Sequence, residues 1–210
     1  MLTTMSIKRK QKRKSRPAPR RRRSAPEARG EMLASARKLL VERGPDAVTL
    51  KAVADDLGMS HTNVLHHFGT AGELQSELMS AMVRDLAAAL MGVVSHLRSD
   101  QGAPRALVDM VFDAFDKGGA GRHAAWIVLS GNLYLLEPVR QAVDELVSAL
   151  EEKFADEKGD PHRGVTSAVL LVALMAFADS VIGEQVKEMV DREPTSARKV
   201  TAFLLPKFFL

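Results

Sequence analysis

The chain is predicted to be all-α, with a three-helix helix-turn-helix unit near its N-terminus and a larger helical domain behind it. Three observations carry that prediction. Apolar residues recur at helical spacing over most of the sequence, no stretch alternates at the strand period, and β-branched and aromatic residues never cluster between turn signals. At 210 residues and 46% apolar content the chain can bury a sizeable core.

The opening segment is different in kind. Residues 1–23 hold eleven Lys or Arg and no acid, so removing them from the overall charge of +4 leaves an acidic body of −7. A block of like charge cannot pack, and Pro17, Pro19 and Pro26 keep the backbone extended to about Ala25. Residues 1–25 therefore read as a disordered basic arm suited to a polyanion.

The first helix is expected over about Glu27–Arg43, with Met32, Ala36, Leu39 and Leu40 on one face and Gly44-Pro45 as its stop. A two-turn helix follows at Leu50–Leu57, capped by Thr49 and ended by Gly58. Another runs from His61 to about His67 behind Ser60. Thr70 and Glu73 have the spacing of a capping box for a long helix to about Arg98, with Leu74, Leu78, Met82, Leu86, Leu90 and Leu97 on its apolar face. Further helices are placed at about Pro104–Lys117, Arg122–Leu133, Pro138–Asp156, His162–Val190 and Thr195–Phe208, punctuated by Gly118-Gly119, Gly159-Asp160-Pro161 and Pro194. The domain division is 1–25 for the arm, 26–72 for the helix-turn-helix and 73–210 for the helical remainder.

Two short helices joined by a three-residue turn need a small residue at their crossing and a glycine at the turn. Ala54 and Gly58 stand there, and Val53, Leu57, Met59 and Val64 can lock the crossing. The second short helix then offers His61, Thr62, Asn63 and His66 on a polar outer face. Three short core helices joined by tight turns would share much of this pattern.

The wider window decides more. Gly44, Thr49, Val53-Ala54, Gly58-Met59-Ser60, His67-Phe68 and Leu74 fall in the order and spacing seen in the N-terminal domain of TetR-family regulators, which residues 31–79 resemble. The resemblance implies a homodimer that binds a palindromic operator in double-stranded DNA, a repressor released by a small-molecule ligand held in the larger domain; the lack of an export signal and of catalytic motifs adds the expectation of a cytoplasmic, non-enzymatic protein. It implies DNA contacts from Thr49, Lys51, Ser60, His61, Thr62, Asn63, His66, His67 and Thr70, and a dimer interface over about 162–208. Two positions depart from the family pattern. Leu65 stands where a phosphate-binding Tyr is usual, and Ala71 where a phosphate-binding Lys is usual. Arg20, Arg21, Arg22 and Arg23 are the residues expected to restore that contact, along the backbone or in a narrow minor groove.

Other chemistry is poorly served. There is no cysteine, which removes disulfides, thiolate metal sites and a cysteine nucleophile. No Gly-rich phosphate loop, Ser/His/Asp order or helical His-Glu metal pair is visible, so neither an enzyme, a metal nor a cofactor is expected. No export signal opens the chain, and the longest apolar run, Ala168–Ala178, is too short to span a bilayer. Phe112, His123, Trp126, Asn132, Phe177 and Asp179 are the candidate ligand residues. Asp179, an acid ending that apolar run, could bind a ligand, pair across a dimer or sit at an emerging helix end. Asp109, Asp113 and Asp116 share a face that reads as a solvated stripe. The competing reading is a helical protein-interaction module with a degenerate helix-turn-helix.

Overall fold

Ser24 starts the first helix of the computed structural model, which describes residues 24–94, 103–154 and 161–208. The Ser24 side chain accepts from the Glu27 amide, and the Glu27 carboxylate accepts from the Ser24 amide at 2.8 Å. This reciprocal cap starts α1 (Ala25–Arg43) earlier than expected and places Pro26 in its first turn. Proline suits that position, because the first-turn N–H it lacks has no helical partner anyway. Pro26 thus opens the helix instead of prolonging the arm, whose residues 1–23 lie outside the described residues.

A 3₁₀ turn (Pro45–Ala47), α2 (Leu50–Leu57), α3 (His61–Phe68) and α4 (Ala71–Val94) follow. Together they close a first core. Met32, Leu39 and Leu40 from α1 meet Val53 and Ala54 from α2, Val64 and Phe68 from α3, and Leu74, Leu78 and Met82 from α4. The expected extension of α4 to Arg98 runs outside the described residues.

The larger part comprises α5 (Ala103–Phe115), α6 (Ala120–Leu129), a 3₁₀ turn (Leu133–Leu136), α7 (Glu137–Phe154), α8 (Pro161–Met189), α9 (Ser196–Leu204) and a final 3₁₀ turn (Leu205–Phe208). Among the described residues no strand occurs. Two helices are shorter than the sequence suggested. The expected Arg122–Leu133 helix ends at Leu129, because Gly131 turns the chain with φ +73° before the 3₁₀ segment begins. The last helix stops at Leu204, since Pro206 has no N–H to continue the ladder.

Central to this part is α8, packed against α5, α6, α7 and α9. The run Ala168–Ala178 is short, but α8 as a whole is long and apolar enough to cross a bilayer by length and composition. Its Val165, Ala168, Val172 and Ala176 are buried, whereas Leu170, Leu174, Val181, Ile182 and Val186 are exposed. With Val200 and Phe203 of α9 they leave an apolar face on the protomer.

The two parts meet on α4 and α6. Ala120 of α6 packs into the first core, and the Trp126 indole N–H donates to the Asp46 carboxylate at 2.7 Å. Ser76 of α4 donates to the Leu135 carbonyl at 2.6 Å, tying the segment after α6 to the first turns of α4.

Candidate nucleic-acid interface

The turn between α2 and α3 is built by local rules. Thr49 Oγ1 accepts from the Ala52 amide at 3.1 Å and starts α2. Gly58 ends it at φ +61°, ψ +37°, a left-handed conformation that costs other residues about 1–2 kcal/mol. The Gly58 amide reaches the Asp55 carbonyl at 3.3 Å and the Met59 amide reaches the Ala54 carbonyl at 2.9 Å. These are the two bonds of a Schellman stop. Ser60 Oγ then accepts from the Asn63 amide at 3.3 Å and restarts the chain as α3.

With Val64 and Phe68 buried, α3 can present only one face outward. That face carries His61, Thr62, Asn63, Leu65 and His66, all exposed. Arg29 holds the helix from behind. Its guanidinium donates to the His67 carbonyl at 2.5 Å, lies 4.6 Å from the centre of the Phe68 ring and pairs with Glu77 of α4 at 3.0 Å. Three helices are thereby tied at one residue. An eight-residue helix is about 12 Å long, matched to the width of the major groove.

Charge is short on this face. Residues 24–70 carry five Lys or Arg against six Asp or Glu. Lys51 is exposed but donates to Asp55 at 2.9 Å, a bond that raises the pKa of its ammonium above the ordinary lysine value. Lys38 donates to Asp56 at 2.7 Å, and this bond, helped by one from Ser35, keeps the Asp56 carboxyl below the ordinary carboxylate value.

Comparison with known proteins locates this arrangement. Residues 32–78 match the family described as bacterial regulatory proteins, tetR family. That stretch is a TetR-family DNA-binding domain, and the chain is a DNA-binding transcription regulator. The chain is 26% identical over 154 residues to the HTH-type transcriptional activator FasR of Mycolicibacterium smegmatis, covering 70% of this chain and 68% of that one. Its fold is similar to a TetR-family regulator of Mesorhizobium loti, with a TM-score of 0.65 at 13% identity over 89% of this chain and 97% of the other. It is also similar to the fatty acid degradation regulator FadR of Bacillus halodurans, with a TM-score of 0.59 at 13% identity over 84% and 93% of the two chains. Regulators of this family bind DNA and act as dimers with small-molecule ligands.

In this TetR-type domain the structure brings Ser60, His61, Thr62, Asn63 and His66 to one exposed surface, with Thr49, Lys51 and Thr70 on the flanking caps and helix. His67 is half-buried, its ring edge-on to that of His66 with centroids 5.9 Å apart. Leu65 and Ala71 are both exposed, so the two departures from the family pattern fall on open surface. The arginines of the arm, Arg20 to Arg23, lie outside the described residues.

Of the six ligand candidates, Asp179 lines the cleft among α5, α8 and α9 together with Arg105, Asp113 and Arg198, and the other five do not. Phe112 is buried between α5 and α8, with the Arg198 guanidinium 5.4 Å from its ring centre. Trp126 is spent on the domain junction, and Asn132 donates to Ser130 within the turn after α6. Phe177 is half-buried on α8, and its carbonyl accepts from Ser180. Asp179, whose role the sequence left open, pairs inside the protomer with Lys187 at 2.7 Å. His123 is fully buried with neither ring nitrogen bonded, and burial pushes its pKa down to about 4.

The aspartate stripe on α5 is more than solvated surface. Asp113 pairs with Arg198 of α9 at 2.7 Å and Asp109 lies 3.6 Å from it, so the stripe ties α5 to α9. Sequence reasoning missed Arg29, whose only signal was its place three residues before Met32 at the edge of an apolar face.

Proposed function

We propose that this chain is a cytoplasmic homodimeric repressor that binds a palindromic operator and leaves it when a small molecule occupies the larger domain. The exposed polar face of α3, set opposite buried Val64 and Phe68, carries this reading. Asn63 can bond an adenine edge in bidentate fashion, Thr62 can meet a thymine methyl, and His61 and His66 can reach neighbouring base edges. Thr49, Lys51, Ser60, His67 and Thr70 are assigned to the backbone on either side, where contacts position the helix without reading sequence.

The dimer is assigned to the apolar face of α8 and α9, within 162–208. Two-fold symmetry then sets a pair of α3 helices in successive major grooves, about 34–36 Å apart. Residues 26–72 form the reader and 73–210 the ligand and dimer domain, with α4 belonging to both. A ligand that favours a different setting of α4 and α6 changes that spacing, by as much as it prefers that state.

The basic arm supplies what the reader lacks. Residues 24–70 have no excess of cations, whereas residues 1–23 have eleven and no acid. Arg20 to Arg23 are assigned to phosphates or a narrow minor groove beside the operator.

A second reading concerns only the sign. The M. smegmatis relative is named an activator, and an operator placed upstream of a promoter turns the same reader into one. Fluorescence anisotropy against DNA flanking the gene tests the core proposal. Palindrome-dependent binding with Kd on the order of 10⁻⁸ M or tighter is expected at physiological salt. Equal affinity for scrambled DNA would overturn it, and a reporter carrying the bound operator fixes the sign.

A further inference from the structure

The second turn of α4 makes three polar ties in three directions. Gln75, Ser76 and Glu77 are consecutive, so their side chains leave the helix about 100° apart and meet different neighbours. The Gln75 side-chain amide donates to the Val48 carbonyl at 3.1 Å, at the entry to α2 just before its cap, Thr49. The Ser76 hydroxyl donates to the Leu135 carbonyl at 2.6 Å, in the 3₁₀ turn Leu133–Leu136 of the larger domain. The Glu77 carboxylate pairs with Arg29 at 3.0 Å, and Arg29 donates to the His67 carbonyl in the last turn of α3. There the carbonyls have run out of helical N–H partners, so the guanidinium caps the end of the recognition helix.

These ties differ in kind from the packing around them. Leu74 and Leu78, on the same stretch of α4, are buried in the first core with Val53, Val64 and Phe68. Apolar contact is non-directional and lets one helix slide on another, whereas a hydrogen bond weakens steeply with angle. Gln75 and Ser76 are buried, so water cannot take over a bond that either loses. Gln75 also keeps its Oε1 buried and unbonded, an unfavourable arrangement that an apolar side chain would avoid. What glutamine adds at this position is the donor to Val48. The other side-chain bond across the junction, from Trp126 to Asp46, is exposed, where solvent can replace either partner. Leu135 is held on a further side, its side chain 3.3 Å from where a Cβ on Gly72 would stand. One turn of one helix therefore sets the entry of α2, the end of α3 and the segment 133–136 against each other.

We infer that Gln75, Ser76 and Glu77 are positioning residues for DNA reading. Gln75 and the Glu77–Arg29 pair fix the two ends of the helix-turn-helix on α4, and Ser76 makes the setting of that turn depend on the segment 133–136. The inference rests on the operator binding proposed above and adds the residues through which the two domains are coupled. A displacement of 133–136 passes through Ser76 to the turn, and Gln75 and Glu77 deliver it to both ends of the reader at once. This reorients α3 without unfolding it. Coupling between sites is reciprocal, so DNA held by α3 is felt at 133–136 through the same residues.

Hydrogen exchange of the full chain, read by mass spectrometry on a peptide spanning 133–136, tests this. The probes are the flanking DNA fragment that the chain binds and a random duplex. In the unaltered chain the bound fragment should slow exchange of that peptide about fivefold or more, and the random duplex should not. Ser76→Ala should still bind the fragment and lose the slowing. A serine that only stabilises the junction gives a different result: exchange in Ser76→Ala is faster with and without DNA, and the ratio between the two survives. That outcome, or no slowing in the unaltered chain, overturns the inference and leaves operator binding standing. Glu77→Gln gives a second measurement that does not hang on folding, because a half-buried ion pair adds little stability. It should reduce discrimination between fragment and random duplex about fivefold at an unchanged Tm. Undiminished discrimination overturns the part given to Glu77 and Arg29. An unaltered chain that prefers no fragment to random duplex overturns the regulator reading itself, and the inference with it.

Discussion

Asn63 and His123 are single residues with separable consequences. Asn63 is exposed on α3 and makes no strong bond within the protein, its amide reaching only the Met59 sulfur at 3.6 Å. Replacing it with Ala should cost about 1–3 kcal/mol at one operator position while leaving affinity for random DNA unchanged. Competition anisotropy with matched and mismatched operators measures that difference. His123 acts on stability. Its imidazole has a pKa of about 4 when folded against an ordinary 6.5, so the unfolded chain takes up a proton that the folded chain refuses. The stability it permits is complete above pH 6.5 and is lost as pH falls from 6.5 through 4, by about 3 kcal/mol in all. His123→Leu, close in volume and without unpaired nitrogens, should remove that slope and raise stability at pH 7 by about 1 kcal/mol. Urea unfolding at pH 7 and pH 5 checks both values.

At the scale of elements, the reader is a chain of caps. Gly58 has open space around its missing Cβ, so Gly58→Ala tests the left-handed backbone alone. It should cost about 1–2 kcal/mol in thermal unfolding, and Thr49→Ala about 1 kcal/mol through removal of the α2 cap. These same caps made α2 and α3 legible in the sequence. Thr49, Gly58 and Ser60 each act on residues no more than four away, and both helices start where those side chains put them. The end of α6 was less legible, because Leu133 continues the helical period and only Gly131 breaks it. Pro26 was misjudged for a related reason: a proline reads as a helix stop unless a cap such as Ser24 precedes it. Long-range ties such as Arg29 to His67 and Glu77 leave no local trace, since their partners are 38 and 48 residues away along the chain.

For the whole molecule, charge and apolar surface are segregated. The cations are concentrated before residue 24, and the apolar excess lies on α8, α9 and the end of α6. Deleting residues 1–23 should weaken binding to all DNA sequences and flatten the dependence of log Kd on log salt, by roughly one unit of slope for each phosphate the arm no longer neutralises. A salt titration of the truncated and full chains measures it, and an unaltered slope would refute the arm's part. The apolar excess was legible only as helical residues. Which side of α8 a neighbouring helix covers depends on packing, and the same leucines fit a core or an interface. Trp126 shows the reverse case. By type it suits a cavity wall, and the structure adds a long-range tie that no local pattern announces: Asp46, 80 residues away, accepts its N–H. It is also the sole indole in the chain. The protein thus has an intrinsic fluorophore at the joint that operator and effector are each expected to bend. Its emission should shift on titration with either, so both equilibria can be followed on the unmodified chain without a dye.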